Sequence, residues 1–211
     1  MNIDQDKNNK YFEEGLMIII SSPSGAGKTT LCQKIVSEDK NILLSISYTT
    51  RKRRKLEVEG KHYKFISANR FEKMKRQKSL LEYAKVFGNY YGTPSTGILK
   101  VIKKREDVLF DIDWQGAKQI RNKFHQHVVD IFIMPPSINE LRKRLIKRGQ
   151  DDISVVEKRM KVAVKEMYHF NEYKYILFND NIEKTLIKIR EIINLERTIR
   201  KNLRKARGLL I

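Results

Sequence analysis

Apolar runs alternate with helical patterns along most of the chain, and this alternation sets the expected fold. The apolar run at 16–20 predicts a buried strand. Leu31, Ile35 and Val36 then follow at helical spacing, which predicts a crossover helix over 28–37. Strands that alternate with helices are typical of a mainly parallel sheet covered by helices on both faces.

The same patterns predict the later elements. Strands are expected at 41–50, at 58–67 (as a strand or hairpin), at 108–113, at 128–134 and at 175–178. Helices are expected at 98–104, from 115, at 137–145 with Ser137 as the cap, at 154–170 and from 182 onward. Residues 71–87 form a helical pattern that passes into a strand, and GNYYGTPS at 88–95 predicts a turn. The chain therefore predicts one α/β domain with a compact α+β insertion in its middle part.

The stretch MIIISSPSGAGKTT at 17–30 carries the first chemical signal. It matches G-x-x-x-x-G-K-[ST] except at the first position, where Ser22 stands for glycine. Small side chains in such a loop let backbone N–H groups point at one anion, with a helix N-terminus behind it. In this motif Lys28 reaches the β- and γ-phosphates of a nucleoside triphosphate, and the Thr29 hydroxyl binds Mg²⁺. The alternative is a Gly- and Ser-rich turn with a surface lysine.

Two carboxylates, Asp111 and Asp113, close the apolar run VLFDID. In a phosphate-loop protein, such a strand beside the first one supplies a second carboxylate for Mg²⁺ or substrate. Aspartate is also a good N-cap for the helix expected near Gln115, so capping is the alternative role.

The composition indicates a folded, basic protein but does not identify its ligand. The 211 residues are 40% hydrophobic, which suits one domain with a real core. The formal charge of +19 attracts polyanions. Six bases and no acid occupy the C-terminal tail from 197 onward: Arg197, Arg200, Lys201, Arg204, Lys205 and Arg207. We expect a solvated helix face rather than a nucleic-acid site, because the tail lacks aromatic residues that could stack on bases.

The sequence predicts a cytoplasmic protein without a membrane span. Its longest apolar runs, at 16–20 and 131–134, are far shorter than the roughly 20 residues that a bilayer span needs. The first ten residues contain no apolar segment of the kind found in a secretory signal. The single cysteine, Cys32, cannot form an internal disulfide and is expected in the core.

Eight collinear blocks resemble guanylate kinase over about 17–196. They are SSPSGAGKTTL, SISYTTR, EGKHYKF, FGNYYGT, DIDWQGAKQI, IFIMPPS, RLIKRGQ and ILFND. The resemblance implies a phosphate-loop NTPase-type fold over 1–211, with a core formed by 16–46, 98–135 and 170–211. It implies that 47–97 is a GMP-binding subdomain and that 137–169 is a lid region. It also implies ATP-dependent phosphorylation of GMP to GDP, with Mg²⁺ required.

The family's functional positions fall on residues of this chain. The ATP-binding positions are Ser24, Gly25, Ala26, Gly27, Lys28, Thr29, Thr30 and Asn179. The GMP-binding positions are Ser47, Arg51, Arg54, Tyr63, Glu82, Tyr91, Thr93 and Asp113. The catalytic positions are Lys28, Arg51 and the lid arginines Arg144, Arg148 and Arg159, with Gly149 and Gln150 at the lid hinge. Thr29 matches the Mg²⁺ ligand, and Asp111 lies near the ion or reaches it through water.

The chemistry of the reaction agrees with these residue types. The acceptor phosphate is already an oxyanion, so catalysis needs charge neutralisation and positioning rather than a general base. Guanine presents its N1–H and amino group as donors, and carboxylates such as Glu82 and Asp113 only accept. Adenine has an acceptor in place of N1–H, so this site can discriminate by about 10⁴-fold or more.

One segment departs from the family pattern, and alternative functions stay open. Arg53, Lys55 and Leu56 stand where the family commonly has Pro and Gly, which predicts a more basic and mobile loop around Arg54. The alternatives are a non-catalytic guanylate-kinase-like interaction module and the same chemistry on another phosphate acceptor. We expect ATP and GMP as partners and neither a membrane nor a nucleic acid, and a homo-oligomer stays open.

Overall fold

The computed structural model describes residues 14–147 and 153–209. Its strands are β1 Met17–Ser21, β2 Ile42–Leu44, β3 Tyr48–Thr49, β4 Lys64–Phe65, β5 Leu80–Val86, β6 Asn89–Pro94, β7 Asp107–Asp111, β8 Val128–Met134 and β9 Tyr175–Phe178. Its helices are α1 Lys28–Glu38, α2 Ala68–Arg76, α3 Ile98–Lys103, α4 Trp114–Phe124, α5 Ile138–Lys147, α6 Ile153–Met167 and α7 Ile182–Gly208. A 3₁₀ turn, Tyr168–Glu172, follows α6.

A parallel sheet in the order β2-β7-β1-β8-β9 forms the centre of the molecule. Successive side chains of β1 point to opposite faces, so Ile18 and Ile20 pack with α1 and α7. Met17 and Ile19 pack on the other face with α3 and α4. Burial on both faces explains why β1 reads as a continuous apolar run, and the expected α/β fold class is confirmed.

A second sheet, in the order β4-β3-β6-β5, lies in the middle part of the chain. The prediction of one strand at 41–50 was wrong, because β2 joins the parallel sheet and β3 joins this one. The turn expected at 88–95 was also wrong over most of its length, since 89–94 form β6. The turn itself is only Phe87 and Gly88, which have positive φ values of 47° and 80° and join antiparallel strands. Such a two-residue connection matches the twist of a β-hairpin.

Other predicted elements shift in their bounds. The region 58–67 contributes only the short strand β4, and the strand expected to end at 113 ends at Asp111. The helix expected to end at 170 ends at Met167. The strands at 128–134 and 175–178 are confirmed, and Ser137 caps α5 by accepting the Glu140 N–H at 3.1 Å.

Two bases of the C-terminal tail bind within the protein, so the expectation of a solvated face was wrong for them. Arg197 donates to the carboxylates of Asp39 and Asp107, at 2.7 Å each. Arg200 donates to three backbone carbonyls, those of Glu14, Gly15 and Gln126, at 3.0, 3.2 and 2.6 Å. These bonds fasten α7 to the amino ends of the central strands.

Two composition-based expectations concern the core and the membrane. Cys32 lies in the core with 1% of its surface exposed, as expected. Within 14–147 and 153–209, none of the helices combines the length and the apolar character needed to cross a bilayer.

Candidate active site

The loop between β1 and α1 has the backbone geometry of a phosphate cradle. Gly25 and Gly27 have φ values of 97° and 96°, which disfavour any residue with a Cβ. A Cβ at Gly27 would also lie 2.6 Å from Nδ2 of Asn179. That Asn179 nitrogen donates to the carbonyl of Ala26 at 2.7 Å. The loop is therefore held from behind by the turn that follows β9.

Lys28 and Thr29, the first residues of α1, both bind Asp111 at the end of β7. The Lys28 Nζ lies 2.6 Å from Oδ1 of Asp111 and donates to the carbonyl of Ile112 at 3.0 Å. The Thr29 hydroxyl donates to Oδ2 of Asp111 at 2.9 Å. Burial alone would lower the pKa of Lys28, but the Asp111 carboxylate outweighs it, and the pKa lies above its usual value. Lys28 is therefore a fixed positive charge.

A cavity of about 220 Å³ opens between the phosphate loop, the second sheet and α6. Most of the predicted site residues line it: Ser24, Gly25, Gly27, Lys28, Thr29, Ser47, Arg54, Tyr63, Glu82, Tyr91, Asp111, Asp113 and Arg159. Ala26 and Thr93 are fully buried behind this lining, and Thr30 is exposed on α1. The structure thus brings the two predicted nucleotide sites to one cavity.

Glu82 of β5 is a buried carboxylate with few polar partners. Its Oε1 accepts the Thr93 hydroxyl at 2.6 Å, and the Thr93 and Ser47 hydroxyls lie 3.2 Å apart. Burial raises the pKa of Glu82 to about 7, and the nearby Asp113 charge adds to this while the Thr93 bond acts against it. Near neutral pH, Glu82 is therefore poised between its protonated and ionised forms.

Asp113 is the N-cap of α4, as the alternative reading of this residue expected. Its Oδ1 accepts the Gly116 N–H at 3.0 Å, and its Oδ2 accepts the Gln115 amide at 3.0 Å. Asp113 also lines the cavity, so capping orients the carboxylate without removing it from the site. Gly116 was not predicted, yet a Cβ there would lie 2.4 Å from Oε2 of Glu82. The absence of a side chain at Gly116 leaves room for the Glu82 carboxylate.

Arg51 lies in an adjoining cavity of about 250 Å³ together with Arg54, Tyr63 and Tyr91. Its Nε donates to the Tyr91 hydroxyl at 3.2 Å. Its Nη1 and Nη2 donate to the two carboxylate oxygens of Glu57 at 3.0 and 2.6 Å. Glu57 was not predicted, and it lies two residues after the basic segment 51–55. The guanidinium fork of Arg51 therefore faces a carboxylate of the protein itself.

The predicted lid arginines occupy different surroundings. Arg159 of α6 lines the main cavity, with its guanidinium 5.8 Å from the centre of the Phe87 ring. Arg144 of α5 instead donates to Glu140 at 3.0 Å and to the carbonyl of Asn179 at 3.1 Å. Arg148, Gly149 and Gln150 lie outside the described residues.

Glu166 is a further cavity residue that the sequence did not single out. It lies on α6, and its Oε2 accepts the backbone N–H of Ser24 in the phosphate loop at 3.2 Å. Burial raises its pKa, while the Ser24 N–H and Lys28 act in the opposite direction. A carboxylate without a motif around it leaves no local signal in the sequence.

A phosphate loop at the carboxyl end of a central parallel strand, with a fixed lysine and a carboxylate on the neighbouring strand, defines a phosphate-loop nucleotide-binding enzyme. The model of the guanylate kinase family matches residues 14–196. The chain therefore belongs to the guanylate kinase family, a family of nucleoside monophosphate kinases.

Individual relatives and a solved structure agree with this assignment. The guanylate kinase of Rickettsia felis is 50% identical over 184 residues, which cover 87% of this chain and 95% of that protein. The guanylate kinase of Rhizobium meliloti is 45% identical over 188 residues, covering 89% and 86% respectively. A crystal structure of guanylate kinase from Anaplasma phagocytophilum superimposes with a TM-score of 0.75 at 36% identity, covering 88% of this chain and 87% of that one.

Proposed function

We propose that the protein transfers the γ-phosphoryl group of ATP to GMP, giving ADP and GDP. Membership of the guanylate kinase family supports this reaction. The observation that carries it is the position of Glu82 and Asp113, two acceptor-only side chains, in one cavity with Lys28 and the phosphate loop. That cavity offers acceptors to a guanine base and donors to phosphates within one enclosure.

On the ATP side, the backbone N–H groups of 24–30 bind the phosphate oxygens. Lys28 neutralises part of their charge, and its bond to Asp111 keeps the ammonium at the mouth of the loop before nucleotide arrives. Asn179 acts indirectly, since it is buried and supports the loop through the Ala26 carbonyl. We assign Asn179 to positioning the loop.

Thr29 and Asp111 fit a magnesium ion. They already place a hydroxyl oxygen and a carboxylate oxygen 2.9 Å apart. Mg²⁺ prefers hard oxygen ligands and keeps several waters and phosphate oxygens, so two protein oxygens suffice. Within 14–147 and 153–209, no cluster of three or more His, Cys, Asp or Glu residues could hold a metal alone, which agrees with a substrate-borne ion. When bound, Mg²⁺ neutralises charge on the transferring phosphates.

On the GMP side, ionised Glu82 accepts the guanine N1–H and Asp113 accepts the amino group, with Ser47 and Thr93 completing the pocket. Arg54, Tyr63 and Tyr91 line both cavities and bind the monophosphate. Arg51 retains one Nη2 hydrogen for the phosphate while the rest of its donors hold Tyr91, Glu57 and the Lys52 carbonyl.

The remaining parts of the chain close the site. We assign 47–97 to GMP binding and 137–169 to a lid, in which α5 and α6 share a small apolar core of their own. Arg159 neutralises the transferring group from the lid, and Arg144 and Arg148 are proposed to join it there. Closure would bring these charges to phosphates that repel one another.

The direct test is an ADP-release assay with Mg-ATP, offering GMP, AMP, dGMP, UMP and CMP in parallel. We expect strong turnover with GMP and little with AMP, and the Lys28→Ala variant should lose most of it. Turnover with another acceptor in preference to GMP would overturn the assignment of Glu82 and Asp113. No turnover by folded wild-type protein would instead favour an interaction module.

We further propose that the enzyme works in the cytosol without binding nucleic acid through its tail. The proposal that the tail binds no nucleic acid is supported by Arg197 and Arg200, which bind acceptors within the protein. RNA-binding titrations at physiological salt should show no tight binding, and binding lost on truncation at 197 would contradict this.

A further inference from the structure

The lid helix α6 touches the phosphate loop through one carboxylate. The Oε2 atom of Glu166 accepts the Ser24 backbone N–H at 3.2 Å across a separation of 142 residues. Glu166 lies seven residues, or two helical turns, after Arg159, so both side chains are on the same face of α6 and both line the cavity. The helix that presents the lid arginine thus also bonds to the loop that binds phosphate.

The atom that Glu166 bonds to is one that a nucleotide needs. Backbone N–H groups in this loop are the donors that hold phosphate oxygens, and a carboxylate offers the same kind of anionic oxygen. The charge of Lys28 favours the ionised form of Glu166, and so does His169 of the 3₁₀ turn. The charge of Asp113 disfavours that ionised form. A phosphate entering the loop adds more negative charge to the same place.

We propose that Glu166 is a positioning residue that takes the place of a nucleotide phosphate oxygen at Ser24 and holds α6 against the empty loop. A bound ATP or ADP phosphate takes over the Ser24 N–H and repels the Glu166 carboxylate. This frees α6, and Arg159 with it, to move towards the transferring group. The inference rests on the proposed nucleotide binding at this loop and adds a coupling between loop occupancy and the lid.

The fluorescence of Trp114 can report a movement of α6. The only tryptophan of the chain, Trp114, stacks on His169 with ring centres 3.6 Å apart and planes within 9°. His169 lies two residues after the end of α6, and its Nδ1 is 2.6 Å from a carboxylate oxygen of Glu172. A displacement of α6 should change this stack and hence the fluorescence of Trp114.

The test compares wild type with Glu166→Gln, which keeps the side-chain shape and removes the charge. Mg-ADP binding is measured by calorimetry and by Trp114 emission, without GMP. The variant should bind Mg-ADP about fivefold or more tightly. Its nucleotide-free emission should already resemble that of the ADP-bound wild type. Glu157→Gln is the matched control on the same helix, since Glu157 pairs with Arg142 at the surface, and it should behave as wild type.

Unchanged or weaker Mg-ADP binding by folded Glu166→Gln would overturn the proposal, and so would wild-type emission that does not respond to nucleotide. Glu166→Asp, which keeps the charge on a shorter side chain, gives a second variant and should fall between the two in affinity. Failure of the proposed nucleotide binding at the loop is distinguishable, because then neither wild type nor any variant binds Mg-ADP. Failure of the GMP assignment alone is detected separately by the ADP-release assay and leaves Mg-ADP binding in place. Titration with GMP alone should leave the wild-type and Glu166→Gln affinities alike.

Discussion

The carboxylate of Glu57 bridges Arg51 and Arg54, the two arginines of the proposed GMP-phosphate site. It binds both terminal nitrogens of Arg51, at 3.0 and 2.6 Å, and accepts the backbone N–H of Arg54 at 2.8 Å. Arg51 and Glu57 are both mostly buried, with side-chain exposures of 15% and 14%. A charge-assisted, bidentate bond of this kind fixes the orientation of the guanidinium.

Removing Glu57 should therefore weaken GMP binding. We expect Glu57→Ala to raise the KM for GMP about tenfold, because Arg51 and the backbone at Arg54 lose their common anchor. The KM for ATP should stay unchanged. Steady-state kinetics with each substrate varied separately measures this. Glu72→Gln on α2 is the control, since Glu72 pairs with Lys75 of its own helix at 3.7 Å. A lower KM for GMP in Glu57→Ala would show that Glu57 merely competes with phosphate.

Gly116 should be intolerant of a side chain although no turn requires glycine there. In Gly116→Ala the new Cβ would lie 2.4 Å from Oε2 of Glu82, so the carboxylate must move. We expect kcat/KM for GMP to fall at least about tenfold, with less discrimination against AMP. Gly208→Ala, where a Cβ meets nothing within 4 Å, should be neutral in the same assay.

Glu82 should link stability to pH. Its pKa is about 7 in the folded protein and about 4.5 in a solvated chain, so the folded state holds the proton more tightly. The associated stability is present below pH 4.5 and is lost as the pH rises through 7. Relative to wild type, Glu82→Gln should gain about 2 kcal/mol between pH 5 and pH 8. Urea unfolding at the two pH values measures this, and a gain independent of pH would refute it.

The same residue should give GMP binding the opposite pH dependence. Protonated Glu82 cannot accept the guanine N1–H without losing its proton, so the KM for GMP should rise as the pH falls below 7. In Glu82→Gln that rise should be absent, and the KM should be high throughout. A pH profile of KM for GMP from 5.5 to 8.5 checks both statements.

Arg200 should matter for stability rather than for catalysis. It donates to three backbone carbonyls beside the first strand, and its loss removes all of these charge-assisted bonds from a largely buried place. We expect Arg200→Ala to lower the free energy of unfolding by about 3 kcal/mol. Lys205→Ala, on the exposed face of α7, should change it by less than about 0.5 kcal/mol. Equal losses of unfolding free energy in Arg200→Ala and Lys205→Ala would contradict the conclusion that Arg200 is bound within the protein while Lys205 is solvated.

The fold was predictable where burial on both faces leaves an uninterrupted apolar pattern. The strands β1 and β8 are of this kind. The strand β9 exposes Ile176 and Phe178 and was predictable from its apolar run alone. The second sheet was harder, because β3 and β4 have two residues each and are partly exposed. In addition, Gly88, Asn89, Gly92 and Pro94 are residue types typical of turns. Around Ser45 and Ser47 the chain passes from the parallel sheet to the second sheet within a few residues. The hydrophobic periodicity of the sequence does not indicate this change.

The candidate site was predictable where its residues share a local motif. Lys28 and Thr29 adjoin a glycine-rich loop, and Asp111 ends an apolar strand. Glu57, Gly116 and Glu166 carry no such pattern, since each matters through a contact with a residue that only the fold brings near. The tail arginines were misjudged for the same reason, because their acceptors lie up to 186 residues away in the chain.

Ribosomal synthesis delivers β1 long before the strands that flank it. Ile18 pairs with Leu109 and Val129. At about 5–20 residues per second, the first of these partners follows roughly 5–20 s later. Until then, the most apolar segment of the chain has no neighbour to pair with and is open to chaperones or to other nascent chains. The bonds of Arg197 and Arg200 form last and hold α7 to the amino ends of the central strands. A chain that stops before these arginines should therefore be degraded by proteases rather than fold into an enzyme of reduced activity.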